Sequence, residues 1–108
     1  MVNVRGGWRV DPLIVVEGLF DALSLAVCGW ASVATIGRWA PWWPELAGER
    51  AVWLAFDGNR PGDEEAQRFA ERLPRTRRLR PPDRCKDWST ALEKRGPAAV
   101  SRWVRERT

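Results

Sequence analysis

Histidine is missing from this sequence altogether. Without an imidazole the chain cannot build a His-based catalytic triad. Cysteine occurs only at Cys28 and Cys85, far apart and in no Cys-x-x-Cys spacing, so a zinc site is excluded as well. We read the two cysteines as reduced thiols in a cytoplasmic protein. Tyrosine is also absent, against eight tryptophans. No run of about 18 apolar residues occurs, so no segment reads as a membrane span. The first residues lack the charged-then-apolar layout of a secretory leader, and no membrane partner is expected.

What remains is ordinary in bulk. A chain of 108 residues has room for one domain, and 44% apolar with 30% charged residues describes a folded globule. The formal charge of +4 leans toward polyanionic partners.

Leu13-Ile14-Val15-Val16 is a continuous, β-branched apolar run. Such a run suits a strand covered on both faces, which means a parallel sheet between helices. A helix over 19–29 follows, with Leu19, Leu23 and Ala26 as its inward stripe and Gly29 as its C-cap. Residues 31–36 and 51–56 are the next strands. Between them, 38–48 holds two prolines and Trp39, Trp42 and Trp43, read as a loop entering a short helix over 44–47. The tryptophan cluster is read as packing, with stacking on unpaired bases as its alternative. An amphipathic helix over 62–73 directs Ala66, Phe69, Ala70 and Leu73 inward, with Asp63 in its acidic first turn. A short basic strand spans 76–79, and Pro81-Pro82 breaks the chain. A helix over 89–94, capped by Ser89, is separated by Gly96 from a closing helix over 97–107 that Pro97 starts well. Residues 2–4 form a short edge strand before a turn at Gly6-Gly7, and Trp53 and Trp103 are expected in the core. The order is β-α-β-α-β-α-β with a helical tail, a doubly wound α/β sheet.

In open parallel sheets the working site lies at the carboxyl ends of the strands. Two strands here end in an acid followed by glycine: Glu17-Gly18 and Asp57-Gly58. Asn59, two residues on, offers an amide oxygen. A hard cation such as Mg²⁺ takes one or two carboxylates and completes its shell with waters and phosphate oxygens. Either acid alone is more often a cap or a solvated turn residue; the pair at successive strand ends shifts the balance toward a site.

The segment Leu13-Ile14-Val15-Val16-Glu17-Gly18-Leu19-Phe20-Asp21-Ala22 resembles the first motif of the Toprim domain, and Asp57-Gly58-Asn59-Arg60-Pro61-Gly62 resembles its second, an Asp-x-Asp followed by glycine. Lys86-Asp87-Trp88-Ser89 is similar to the Lys-Asp-Trp-Asn tail of primase-like and mobile-element members. The resemblance implies a Rossmann-like sheet of about four parallel strands over a core of 13–92, and Mg²⁺-dependent (or Mn²⁺-dependent) making or breaking of phosphodiester bonds in DNA or RNA. It also implies a place beside a helicase or other domains of a larger primase-type protein. Glu17 would be the general acid or base and a metal ligand, Asp57 the leading ligand, and Asp21 a support or a helix cap. One departure stands out: the second aspartate of Asp-x-Asp is Asn59. A unit charge pair about 4 Å apart is worth on the order of 4 kcal/mol at an effective dielectric of about 20. Asp63 or Glu64, at the helix start, could compensate. A degenerate domain that binds nucleic acid or protein without catalysis is therefore the alternative. A phosphoacceptor receiver, suggested by Asp57 with Pro61 four residues on, fits less well because a single acid follows the first strand.

Arg75, Arg77, Arg78, Arg80, Arg84 and Lys86 crowd into twelve residues. Such a run either neutralises phosphates, with a strong salt dependence, or is a solvated edge.

Overall fold

The computed structural model describes residues 2–3, 13–30, 32–35, 51–73 and 75–107. The expected turn at Gly6-Gly7 and the Trp39, Trp42 and Trp43 segment with its short helix lie outside the described residues. Five strands form one sheet: β1 (Val2–Asn3), β2 (Leu13–Val16), β3 (Ser32–Ala34), β4 (Val52–Leu54) and β5 (Thr76–Arg78). Their spatial order is β1-β3-β2-β4-β5. The four strands from β3 to β5 are parallel, and β1 adds an antiparallel edge against β3. The α/β Rossmann-like architecture expected from the apolar strand runs is the observed one.

Helix α1 (Leu19–Val27) links β2 to β3, and α2 (Arg60–Ala70) links β4 to β5. The sheet's side chains alternate between its two faces, as strand geometry requires. Ile14, Val16, Trp53 and Ala55 pack with α1 and α3 (Trp88–Arg107) on one face. Leu13, Val15, Val33, Leu54 and Phe56 meet Ala66, Phe69 and Leu73 on the other. Strands β2, β3 and β4 are therefore buried on both sides, which is why β2 and β4 read as unbroken apolar runs. The winding sense of the sheet reverses between β2 and β4: from this point the connections run outward in opposite senses.

Two inward stripes differ from expectation. On α1 the buried residues are Asp21, Ala22, Ser24 and Leu25, while Leu19 and Leu23 are about 40% exposed and Phe20 is 76% exposed. This helix is apolar nearly all round, so periodicity alone gives no inward direction. On α2, Ala66 and Phe69 are buried and Ala70 is exposed, and the helix begins two residues early, at Arg60. Phe69 meets Phe56 edge-on, with ring centroids 5.2 Å apart.

The closing helices sit end to end. Gly96, at φ 82°, breaks α3 ahead of Pro97 as the sequence suggested. The cap of α3 is Asp87, not Ser89: its Oδ1 accepts Thr90 N–H at 2.7 Å. Trp88, unremarked as a core residue in the sequence, is fully buried and donates its indole N–H to Ala55 O at 2.8 Å. Trp53 is buried as expected and Trp103 is half-buried. Cys28 and Cys85 are free and buried. Among the described residues no helix is long and apolar enough to cross a membrane.

The α2 packing can be checked directly. Phe69→Ala is expected to lower stability by about 3–5 kcal/mol through the cavity it leaves, whereas Ala70→Ser should change it by less than about 0.5 kcal/mol. Urea unfolding of both variants reads the difference.

Candidate metal and nucleic-acid site

Strand β2 pairs with β4 in register Val15 to Leu54, and Ala55 N–H donates to Val15 O at 2.8 Å. The residues just past these strand ends are Glu17 and Asp57, so two carboxylates from distant parts of the chain meet at the point where the winding sense reverses. Glu17 Oε1 accepts the Asp57 backbone N–H at 3.3 Å. Clefts of doubly wound sheets form at this location.

Several contacts hold the Asp57 loop. Gly58 N–H donates to Lys86 O at 2.6 Å, tying the second sequence motif to the third. A side chain at Gly58 would press on Cys85 O at 3.3 Å, and one at Gly62 would fall 2.0 Å from Asp57 O. The first turn of α2 thus crosses the Asp57 backbone at a distance only glycine permits. From β5, the half-buried Arg78 reaches back across β4. Its Nη1 donates to Leu54 O at 3.0 Å and Phe56 O at 2.8 Å, and its Nη2 to Asp57 O at 2.6 Å. Its Nε donates to Asp63 Oδ1 at 3.0 Å. Burial pulls the Arg78 pKa below the usual guanidinium value, against the hydrogen bond to Asp63.

The carboxylates feel one another. Burial first, then the charges of Glu17 and Asp87, push the Asp57 pKa up, while Lys86 and Arg78 pull it down. Asp21 is 8% exposed and is raised to about 6, chiefly by burial, with Asp87 and Asp57 adding to the shift. Its Oδ1 accepts Ser89 N–H at 3.0 Å. Asp21 therefore supports the N-terminus of α3, not of its own helix, where Gly18 stands as N-cap without a side-chain bond.

Not every residue singled out in the sequence joins this group. Asn59 Oδ1 accepts Gly62 N–H at 2.9 Å and caps α2. Asp63 pairs with Arg78 at 2.9 Å and Arg80 at 3.3 Å. The arginine run also divides: Arg78 faces inward onto backbone carbonyls, while Arg75, Arg77, Arg80 and Lys86 are exposed. Lys86 alone among the exposed four acts electrostatically on Asp57. Asp87 and Trp88 of the third motif have structural roles that residue type alone does not announce; the aspartate three residues before the helical Thr90 N–H is the sequence signal for the cap.

Among the described residues no three His, Cys, Asp or Glu side chains converge as a ready-made metal cluster. A pair of carboxylates whose charges oppose each other nevertheless suits Mg²⁺, which takes few protein ligands and keeps waters.

Two measurements follow. An acid held at about 6 when folded and near its ordinary value of 3.8 when unfolded binds its proton more tightly in the native state. Its contribution is full below about pH 4 and is lost as pH rises through about 6. Asp21→Asn keeps the acceptor for Ser89 N–H and should be more stable than the parent above about pH 6, by on the order of 3 kcal/mol. Below about pH 4 the difference should vanish; thermal melts in EDTA from about pH 3.5 to about pH 8, spanning both limits, would show it. Separately, Arg78→Leu strips donors from Phe56 O and Asp57 O and is expected to cost on the order of 3 kcal/mol, with no rescue by Arg78→Lys, whose point charge cannot span the fork. Urea midpoints of both variants test this.

Neither the curated proteins nor the solved structures contain a match to this chain. A family model described as Toprim-like matches residues 14–92, well over half of the sequence and all three motifs. With its four parallel strands and acids at the central strand ends, the chain belongs to the Toprim-like family, and by that membership is a metal-binding, nucleic-acid-related domain.

Proposed function

We propose that this domain performs Mg²⁺-dependent phosphodiester chemistry as the Toprim part of a DNA primase-like enzyme, with Mn²⁺ as an alternative ion. The observation that carries the reading is the meeting of Glu17 and Asp57 at the carboxyl ends of adjacent central strands, with Glu17 Oε1 3.3 Å from Asp57 N. In this reading Glu17 and Asp57 hold the ion. When bound, it supplies charge neutralisation at phosphoryl oxygens and activation of a water or hydroxyl.

The protein's own groups do the rest. Glu17 is exposed, so its free oxygen can accept a proton from an attacking hydroxyl or return one to a leaving oxygen. Arg78 fixes the Asp57 carbonyl from behind, which sets where the carboxylate stands. Lys86, held beside Gly58 by its backbone carbonyl, adds a positive charge that acts on Asp57 and suits a phosphate oxygen. Asp21 acts at one remove by anchoring the start of α3. The remaining parts of a priming machine, a helicase among them, would lie on partner domains.

A specific observation favours a second reading. The Asn59 amide is engaged in the α2 cap, and both acids that could restore the missing charge are paired elsewhere, Asp63 with two arginines and Glu64 with Arg60. A domain that binds DNA or RNA without turnover would show that arrangement too.

Titration of ¹⁵N-labelled protein with Mg²⁺ separates the two. The catalytic reading expects shifts confined to the surroundings of Glu17 and Asp57 and abolished by Asp57→Ala. No response up to about 10 mM, well above the range of ordinary Mg²⁺ sites, would leave nucleic-acid binding that is indifferent to EDTA as the function.

A further inference from the structure

Beside the β5 edge opens a cavity of about 510 Å³, lined by Arg77, Arg78, Arg80 and Arg107 and by Trp53 and Trp103. It shares no residue with the Glu17–Asp57 pair. Asp83 and Glu106 also line it; with the Arg78 guanidinium turned onto backbone carbonyls, Arg77, Arg80 and Arg107 supply three positive charges against these two negative ones. Two of the arginines lie over aromatic faces: the guanidinium carbon of Arg77 is 4.7 Å from the Trp53 ring centre, and that of Arg107 is 3.1 Å from the Trp103 ring centre. Trp103 is itself fixed, since its indole N–H donates to Arg80 O at 2.9 Å.

This arrangement has a chemical consequence. A guanidinium resting on an indole satisfies its face through the ring and leaves its N–H edge for in-plane hydrogen bonds. Stacking also removes rotamer freedom before any ligand arrives, so less is lost on binding. The Arg77 guanidinium makes no hydrogen bond or ion pair with any described residue, so its donors are available. Arg107 spends one donor on Trp103 O, from Nη1 at 3.0 Å, and gives no other to a described residue. Arg80 is more than half exposed and shares Asp63 with Arg78. The fork of donors on an arginine matches the paired oxygens of a phosphate. Trp53 is only 5% exposed, which leaves no indole face for a base to stack on at that wall.

The geometry points to a phosphate pocket formed by Arg77, Arg80 and Arg107, taking the sugar–phosphate backbone of a single nucleic-acid strand without base preference. The assignment of the phosphate to a strand rests on the nucleic-acid reading above; the pocket itself does not require a metal. A concave site of this volume is that of an ordinary small-ligand pocket, with room for about one or two nucleotides.

The test is fluorescence anisotropy with a labelled, mixed-sequence single-stranded oligonucleotide, in EDTA throughout and over a salt series. Arg77→Ala and Arg107→Ala are each expected to weaken binding at least about fivefold and to reduce the magnitude of the log–log salt slope by about 0.7 for each phosphate left without its arginine. Arg102→Ala, an exposed α3 arginine outside the cavity, should alter affinity less than about twofold. Arg77→Lys should recover only part of the affinity, because it keeps the charge and loses the planar fork. Full recovery by that variant, or unchanged affinity and slope in Arg77→Ala and Arg107→Ala, would overturn the pocket. Competition identifies the source of the phosphate. Displacement by unlabelled oligonucleotide, and not by an equal nucleotide concentration of AMP or inorganic phosphate, supports a strand, whereas equal displacement by the small anions overturns it. Since no metal is present, failure here leaves the Mg²⁺ titration to judge the proposed function by itself.

Discussion

The guanidinium of Arg78 is the constraint on which the carboxyl end of this sheet depends. Past Leu54 the β4 strand leaves the ladder, and the Phe56 carbonyl relies on a side-chain donor while the Asp57 carbonyl has only the Asn59 N–H from the backbone. Arg78 supplies donors to both from the neighbouring strand and carries its charge inward with Asp63 as counter-ion. A half-buried cation is tolerable only under such saturation, because removal of a partner would leave an uncompensated charge. The same side chain links the α2 start, the β5 edge and the Asp57 loop.

Around this clamp the three sequence motifs close on one another through backbone as much as through side chains. Glu17 reaches the Asp57 N–H, Gly58 reaches Lys86 O, and Asp21 reaches the Ser89 N–H. Trp88 completes the ring by donating to Ala55 O from the opposite layer. Such closure brings like charges together. Asp57 and Asp21 both have raised pKa values because burial and neighbouring carboxylates make ionisation costly. Collected negative charge that the fold does not fully neutralise is the electrostatic condition under which a divalent ion binds, and it agrees with membership of a metal-binding family.

How much of this was legible in advance varies by residue. The strands β2 and β4 were readable because burial on both faces leaves an unbroken apolar run. Glu17 and Asp57 were readable because each ends such a run and is followed by glycine. The α1 orientation was not, since a helix with Phe20, Leu23 and Val27 exposed and Leu25 buried carries no clean stripe. Asn59 and Arg78 were assigned by residue type, as a metal ligand and as a partner for phosphate. Both proved to hold the backbone, one at a helix start and one beneath a strand end. A polar side chain's type states what it can bond, but its partner depends on which donors or acceptors the packing leaves unmatched.

By itself, then, the sequence determined what local pattern encodes: strands by apolar runs, chain reversals by glycine and proline, the break at Gly96, and acids placed at strand ends. Tertiary structure alone decided the strand order that makes β2 and β4 neighbours, and with it the meeting of Glu17 and Asp57 across forty residues of chain. It also decided that Arg78 turns inward while Arg77 and Arg80 stay outside. The physical reason is that strand adjacency and side-chain pairing are long-range properties, set by which faces can be buried together, and no residue carries that information in its own neighbourhood.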